Sequence, residues 1–223
     1  MKESKGMSMN QKEELRTQNM IRFIEAAREL IDQEGLESLS IRKIAEKAGF
    51  HNSTIYLYFR DMDHLVMLAT LKHFTDYSRS LARLSRQNLP PLDNFFAIWS
   101  FFGHTVFRSP HIFYNFFFGK HSDNLTDIME EYYAIFPEEK EEYSALIGIM
   151  YYGKNITERC YRLLESLLDC EGLRIGRDNL EMVNEIIVSF LKFLLEEKCQ
   201  DPESDPGIMN HRLLEMIKYV TAA

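Results

Sequence analysis

Apolar residues recur along this chain at intervals of three and four, and no stretch alternates with period two well enough to make a strand. The first period lays side chains along one face of a helix; the second would lay them along one face of a sheet. The chain is therefore expected to be all-α. Its 10 glycines and 6 prolines are few for 223 residues, so turns are few and elements long. Pro90-Pro91, Pro110, Pro137, Gly172, Gly176, Pro202 and Pro206 punctuate the periodic stretches. Between them the spacing predicts helices over about 62–86, 91–108, 110–119, 122–135, 138–171, 178–198 and 207–221.

The N-terminal part is patterned more finely. Residues 1–16 are polar and read as a flexible arm. Over 17–34, Met20, Phe23, Ile24, Ala27, Leu30 and Ile31 share one face, and Gly35 follows as a stop. Ser40 is placed to cap a short helix over Ile41–Ala48, on which Ile41, Ile44, Ala45 and Ala48 share a face; Gly49 ends it. Four residues later a third short helix is expected at about Ser53–Phe59, with Ile55 and Phe59 turned inward. Asp61 is placed to cap the fourth helix.

Two short helices joined by a glycine-containing turn make a helix-turn-helix, in which the second helix enters the major groove and the first crosses the backbone. Removing Ile55 and Phe59 from the third helix leaves Asn52, Ser53, Thr54, Tyr56 and Tyr58, short or planar groups that suit phosphates and base edges. The net charge of −8 does not oppose this reading. Residues 1–62 hold 10 basic and 10 acidic side chains, so the whole deficit lies in the remaining 161. Within Ser40–Met62, Arg42, Lys43, Lys47 and Arg60 outnumber Glu46 and Asp61, and DNA responds to the local face.

The stretch Gly35–Leu65, GLESLSIRKIAEKAGFHNSTIYLYFRDMDHL, resembles the DNA-binding signature of the tetracycline-repressor (TetR) family. The matching features are Gly35, the Arg42–Ala45 run, the Ala48–Phe50 turn and Ser53–Phe59. The resemblance spans about residues 17–70. It implies a three-helix DNA-binding head over 17–62 and a helical ligand-binding and dimerisation body over 63–223. It further implies DNA contacts from Ser40 and Arg42 at the second helix and from Asn52, Ser53 and Thr54 opening the recognition helix. Tyr56 and Tyr58 are implied on phosphates. Many members carry a lysine just inside the fourth helix; here Met62 stands there, and Arg60 is the nearest substitute. A bacterial origin is implied by the resemblance alone.

In the body, residues 95–118 hold nine of the 16 phenylalanines together with Trp99 and Tyr114. An aromatic stripe at helical spacing suits an ordinary core as well as a ligand pocket. The resemblance favours a pocket for a small apolar or aromatic effector, with Phe96, Trp99, Phe102, His104, Phe113, Phe117, Tyr151 and Asn155 as lining candidates. Residues 178–198 are apolar around most of the helix, wider than one core usually covers, which favours a second partner over complete burial within one subunit. With 207–221 they are expected to form a two-fold bundle in a homodimer, through Val183, Ile187, Phe190, Leu194, Leu213 and Ile217. Two heads one DNA turn apart call for a palindromic operator.

No export signal is visible at the start, and no apolar run approaches the roughly 20 residues a membrane span needs. The expectation is a soluble, cytoplasmic chain. Cys160, Cys170 and Cys199 match neither a zinc site nor a redox pair and read as buried thiols. No esterase elbow, metalloprotease helix, phosphate loop or calcium loop is present, and His104, His111 and His121 are too far apart in sequence to argue a metal site. No enzyme, metal or cofactor is expected. Two alternatives to a ligand-responsive repressor stay open: a DNA-binding protein without a small effector, architectural or partner-regulated, and a transcription activator.

Overall fold

A computed structural model describes residues 8–84, 89–140, 148 and 153–221. Among these the chain is all-α, with no strand, as its periodicity requires. The N-terminal helix α1 (Met9–Glu34) starts eight residues before the expected start at residue 17. The cause is a capping box: the Ser8 side chain accepts from the Gln11 N–H, and the Gln11 side chain accepts from the Ser8 N–H. Most of the expected flexible arm is therefore helical from Met9 on.

Helix α2 (Ile41–Ala48) is capped by Ser40, whose hydroxyl accepts from the Lys43 N–H at 3.3 Å. Gly49 ends it in the left-handed conformation (φ 77°, ψ 36°), where a side chain is strained. The next element, Asn52–Leu57, is a 3-10 helix rather than the expected α-helix. With only six residues it closes i→i+3 bonds, Thr54 to the His51 carbonyl and Tyr58 to the Ile55 carbonyl.

Helix α3 (Met62–Leu84) leaves this head and runs into the body. There follow α4 (Pro91–Val106), α5 (Pro110–Phe118), α6 (Leu125–Ile135), α7 (Ile156–Glu165), α8 (Leu180–Gln200) and α9 (Pro206–Thr221). The continuous helix expected over 138–171 is not formed. Pro137–Glu139 is a 3-10 turn, and residues 153–155 are non-helical because Asn155 is extended (φ −149°, ψ 176°) and caps α7. Residues 141–147 and 149–152 of that expectation lie outside the described residues.

The packing follows the buried faces. In the head, α1 lies on α2 and on α3; in the body α3 meets α4, α5 and α6, while α8 packs against α5, α7 and α9. Helices α4 and α9 cross closely at Gly103: a Cβ there would stand 1.9 Å from Asn210 Oδ1, and the Asn210 amide donates to the Ser100 carbonyl at 3.1 Å. No described helix is long and apolar enough to cross a membrane. Of the three thiols expected to be buried, only Cys160 is; Cys170 and Cys199 are half-buried, since they sit at the outer edge of their packing faces. Burial pushes the Cys160 thiol up from its ordinary range.

Candidate functional site

The recognition segment is too short to hold itself, and α1 holds it. Phe23, fully buried, stacks on Phe50 at 4.7 Å and meets Phe59 edge-on at 5.9 Å, with Tyr58 at 5.8 Å. Three polar side chains of α1 finish the clamp. Arg16 donates to the Leu57 carbonyl (2.9 Å), Asn19 to the Tyr58 hydroxyl (2.8 Å) and Arg22 to the Ala48 carbonyl (2.8 Å). Arg22 also lies over the Phe50 ring at 4.6 Å. Each bond satisfies a backbone or hydroxyl group that a short segment leaves over.

What the clamp leaves outside is the candidate DNA face. Arg42, Asn52, Ser53 and Arg60 are exposed, Ser40 and Thr54 half-buried, and Tyr56 is 58% exposed. Tyr58 belongs to the clamp as much as to the face, since it packs on Phe23 and accepts from Asn19. Two exposed residues escaped the sequence reading: Leu57, 67% exposed although apolar, and His51, which caps the segment. Lys43 and Lys47 face Glu34 and Glu29, each at 2.6 Å.

At the junction of head and body Asp61 gathers three donors. The His64 N–H reaches it at 2.8 Å, as the expected helix cap; Lys120 comes to 2.7 Å and His121 to 2.9 Å from the connection between α5 and α6. Burial works against the charge, but Lys120, His121 and the His64 N–H together hold this carboxyl well below the usual carboxylate range. His64, 2% exposed, lies with Nε2 3.0 Å from Glu131 on α6, while its Nδ1 accepts from the Arg60 N–H. This hydrogen bond to His64 is the main reason the Glu131 carboxyl is lowered. A second strut is Arg28 of α1, which donates to the Ala69 carbonyl (3.1 Å) and to the Tyr132 hydroxyl and lies over Phe136 at 4.7 Å.

The body holds a narrow, close-packed cleft of about 20 Å³. Phe74 and Tyr77 of α3, Ile98, Trp99 and Phe102 of α4, Phe117 of α5, and Ile156, Arg159, Cys160 and Leu163 of α7 line it. Three of the eight expected lining residues are here: Trp99, Phe102 and Phe117. Phe113 stands behind the cleft, stacked on Phe117 at 6.0 Å, and opens with His104 onto a separate shallow groove. Phe96 packs edge-on against Phe95 at 5.4 Å, away from the cleft. Asn155 is spent as the α7 cap and donates to Asp123 at 2.9 Å. Tyr151 lies outside the described residues. Phe74, Tyr77 and the α7 residues were missed because helical spacing alone did not say which α3 and α7 positions would face α4.

The expected interface residues separate by burial. Val183, Ile187, Leu194, Leu213 and Ile217 are buried within the one chain, where α8 meets α5, α7 and α9. Phe190 alone is half-exposed, stacked on Phe193 at 6.0 Å. The outer face is carried instead by Met182 (64% exposed), Ile186 and Phe193 (51% exposed), with Met216 of α9 beside them.

Residues 23–67, from Phe23 of the clamp through the recognition segment to the first turns of α3, match the sequence profile described as bacterial regulatory proteins of the tetR family. The head is a TetR-family domain. The TetR-like architecture extends through the body, as solved structures show. RolR in complex with its ligand resorcinol superposes with a TM-score of 0.58 at 18% identity, over 91% of this chain and 89% of that one. FadR of Thermus thermophilus, in complex with lauroyl-CoA, gives 0.58 at 13% identity, over 89% and 92%. SmeT, repressor of the Stenotrophomonas maltophilia multidrug efflux pump SmeDEF, gives 0.54 at 15%, over 93% of each. At these identities the likeness is one of fold. No curated protein matches the chain in sequence.

Proposed function

We propose that this chain is a ligand-responsive repressor that binds a palindromic operator as a homodimer and releases it when an apolar or aromatic effector enters the body cleft. The observation that carries the reading is the course of α3. The helix begins beside Asp61, shortly after the recognition segment ends at Leu57, and its own Phe74 and Tyr77 wall the cleft. Whatever fills the cleft displaces the helix on which the head is mounted. The effector needs to favour the DNA-incompetent state by only a few kcal/mol to release the operator.

In the head, Arg42, Asn52, Ser53, Thr54 and Tyr56 with Ser40, Tyr58 and Arg60 are proposed to meet DNA, phosphates through the tyrosines and bases through the segment's start. In the body, the effector class is supported by a lining that is aromatic apart from Arg159 and three aliphatic residues and a thiol. RolR, in the same fold, holds resorcinol, and SmeT holds triclosan, both aromatic. The apolar outer face at Met182, Ile186, Phe190, Phe193 and Met216 is proposed as the dimer surface, since a contiguous apolar patch in water calls for a cover.

The test is selection of bound sequences from random duplexes at near-physiological salt. A palindromic consensus is the expected result. Binding without consensus that vanishes as salt rises would replace the repressor reading with non-specific phosphate attraction. The effector is then sought by fluorescence, because the single tryptophan of the chain, Trp99, lines the cleft. A compound that changes its emission and also releases the operator is the expected effector; operator affinity indifferent to every compound that does so would sink the coupling.

A further inference from the structure

His51 stands immediately before the recognition segment and is exposed. Its ring Nδ1 lies 3.4 Å from the Ser53 N–H and 2.9 Å from the Ser53 hydroxyl. An amide N–H can only donate, so Nδ1 is the acceptor of this pair, and a neutral imidazole with one accepting nitrogen carries its proton on the other. The cap therefore settles the tautomer: the Nε2–H is a donor, on a ring already held in place by Ser53. Ser53 spends its hydroxyl in the same contact, which makes it a support for His51 as well as a member of the face.

We infer that His51 is a specificity-determining residue whose Nε2–H donates to a purine N7 in the major groove, with guanine preferred; the inference rests on the DNA-binding reading above. Guanine sets two acceptors, N7 and O6, side by side at the groove edge, whereas adenine sets a donor beside its N7. A lone, outward N–H therefore favours guanine. The ring is pre-oriented by its cap, so reading the base costs little further side-chain freedom.

The 223-residue chain and its His51→Ser variant are put through the same selection. Serine keeps an oxygen to accept the Ser53 N–H, so the cap survives, but offers no donor at the reach of Nε2. The expected result is one guanine position per half-site that loses its preference in the variant while the other positions persist. At that position 7-deazaguanine, which lacks N7, weakens the wild-type chain about tenfold and leaves the variant unchanged. An identical consensus from both proteins, or equal weakening of the variant on every duplex, overturns the inference, the second outcome placing His51 on phosphate. If the variant does not fold, the 7-deazaguanine duplex decides with the wild-type chain alone, and unchanged affinity overturns it. Absence of any consensus from the wild-type chain is a different failure, since it removes the operator reading itself.

Discussion

The head and the body are stabilised by opposite means. In the head, one buried ring, Phe23, touches Phe50, Tyr58 and Phe59, and three polar side chains from α1 tie down the carbonyls and the hydroxyl that surround it. In the body, rings pack on rings, Phe74 on Phe116 and Phe117, Trp99 on Phe102. Directed bonds fix one geometry, as a surface that must match a groove requires. Ring packing sets the volume, as the proposed effector cleft would require. The two regimes meet on α3, whose first turn is held by Asp61, Lys120, His121, His64 and Glu131, and whose middle is aromatic.

Phe23→Ala is the largest expected break in this contrast. Removing a buried phenylalanine costs about 3–5 kcal/mol, and here every ring of the clamp loses its neighbour. Loss of DNA binding with the body still protected in hydrogen exchange is expected; loss of protection throughout would show that the two regions stand or fall together. Next comes Phe193→Glu, which puts a charge on the outer face of α8 without touching its core side. The variant is expected to sediment as a monomer and to bind the operator at least tenfold more weakly; an unchanged sedimentation coefficient would move the dimer surface elsewhere.

Gly49→Ala is smaller. It forces a side chain into positive φ, at roughly 1–2 kcal/mol, and brings its Cβ to 3.0 Å from Arg22. A thermal midpoint lowered by several degrees is expected, and no change would mean that the turn between the two short helices relaxes freely. Asp61→Asn has the smallest effect and the clearest pH signature. The Asp61 carboxyl is lowered in the folded chain, so its contribution is complete above the ordinary value of 3.8 and is lost as pH falls through the lowered one. The variant is expected to be less stable than wild type at neutral pH and to converge with it in strong acid. A gap that stays constant with pH would remove Asp61 from the junction's electrostatics.

The head was legible because its signals are local. Ser40 caps, Gly49 turns, and Ile55 and Phe59 point inward by reasons contained within a few residues of each. The capping box Ser8–Gln11 was equally legible and was passed over for want of apolar residues beside it. The 3-10 geometry was not, since six residues of this composition serve either helix. In the body the faces are set by neighbours far away in sequence. On α8, apolar nearly all round, Val183 and Ile187 differ from Met182 and Ile186 only in what α5, α7 and α9 happen to cover. The same ignorance put Phe96 and Asn155 in the cleft and left out Phe74 and Arg159.

The ion pairs of Lys43 with Glu34 and Lys47 with Glu29 bear on how the head would respond to ionic strength. A free lysine that meets a phosphate displaces a condensed counterion, and that release is the source of steep salt dependence. A lysine that must first leave its carboxylate frees an anion that attracts cations in turn, which offsets part of that release. On the proposed DNA face, Lys43 and Lys47 then contribute less to the ion balance than Arg42 and Arg60, and the salt dependence of binding is expected to be shallower than a count of the motif's four basic residues suggests.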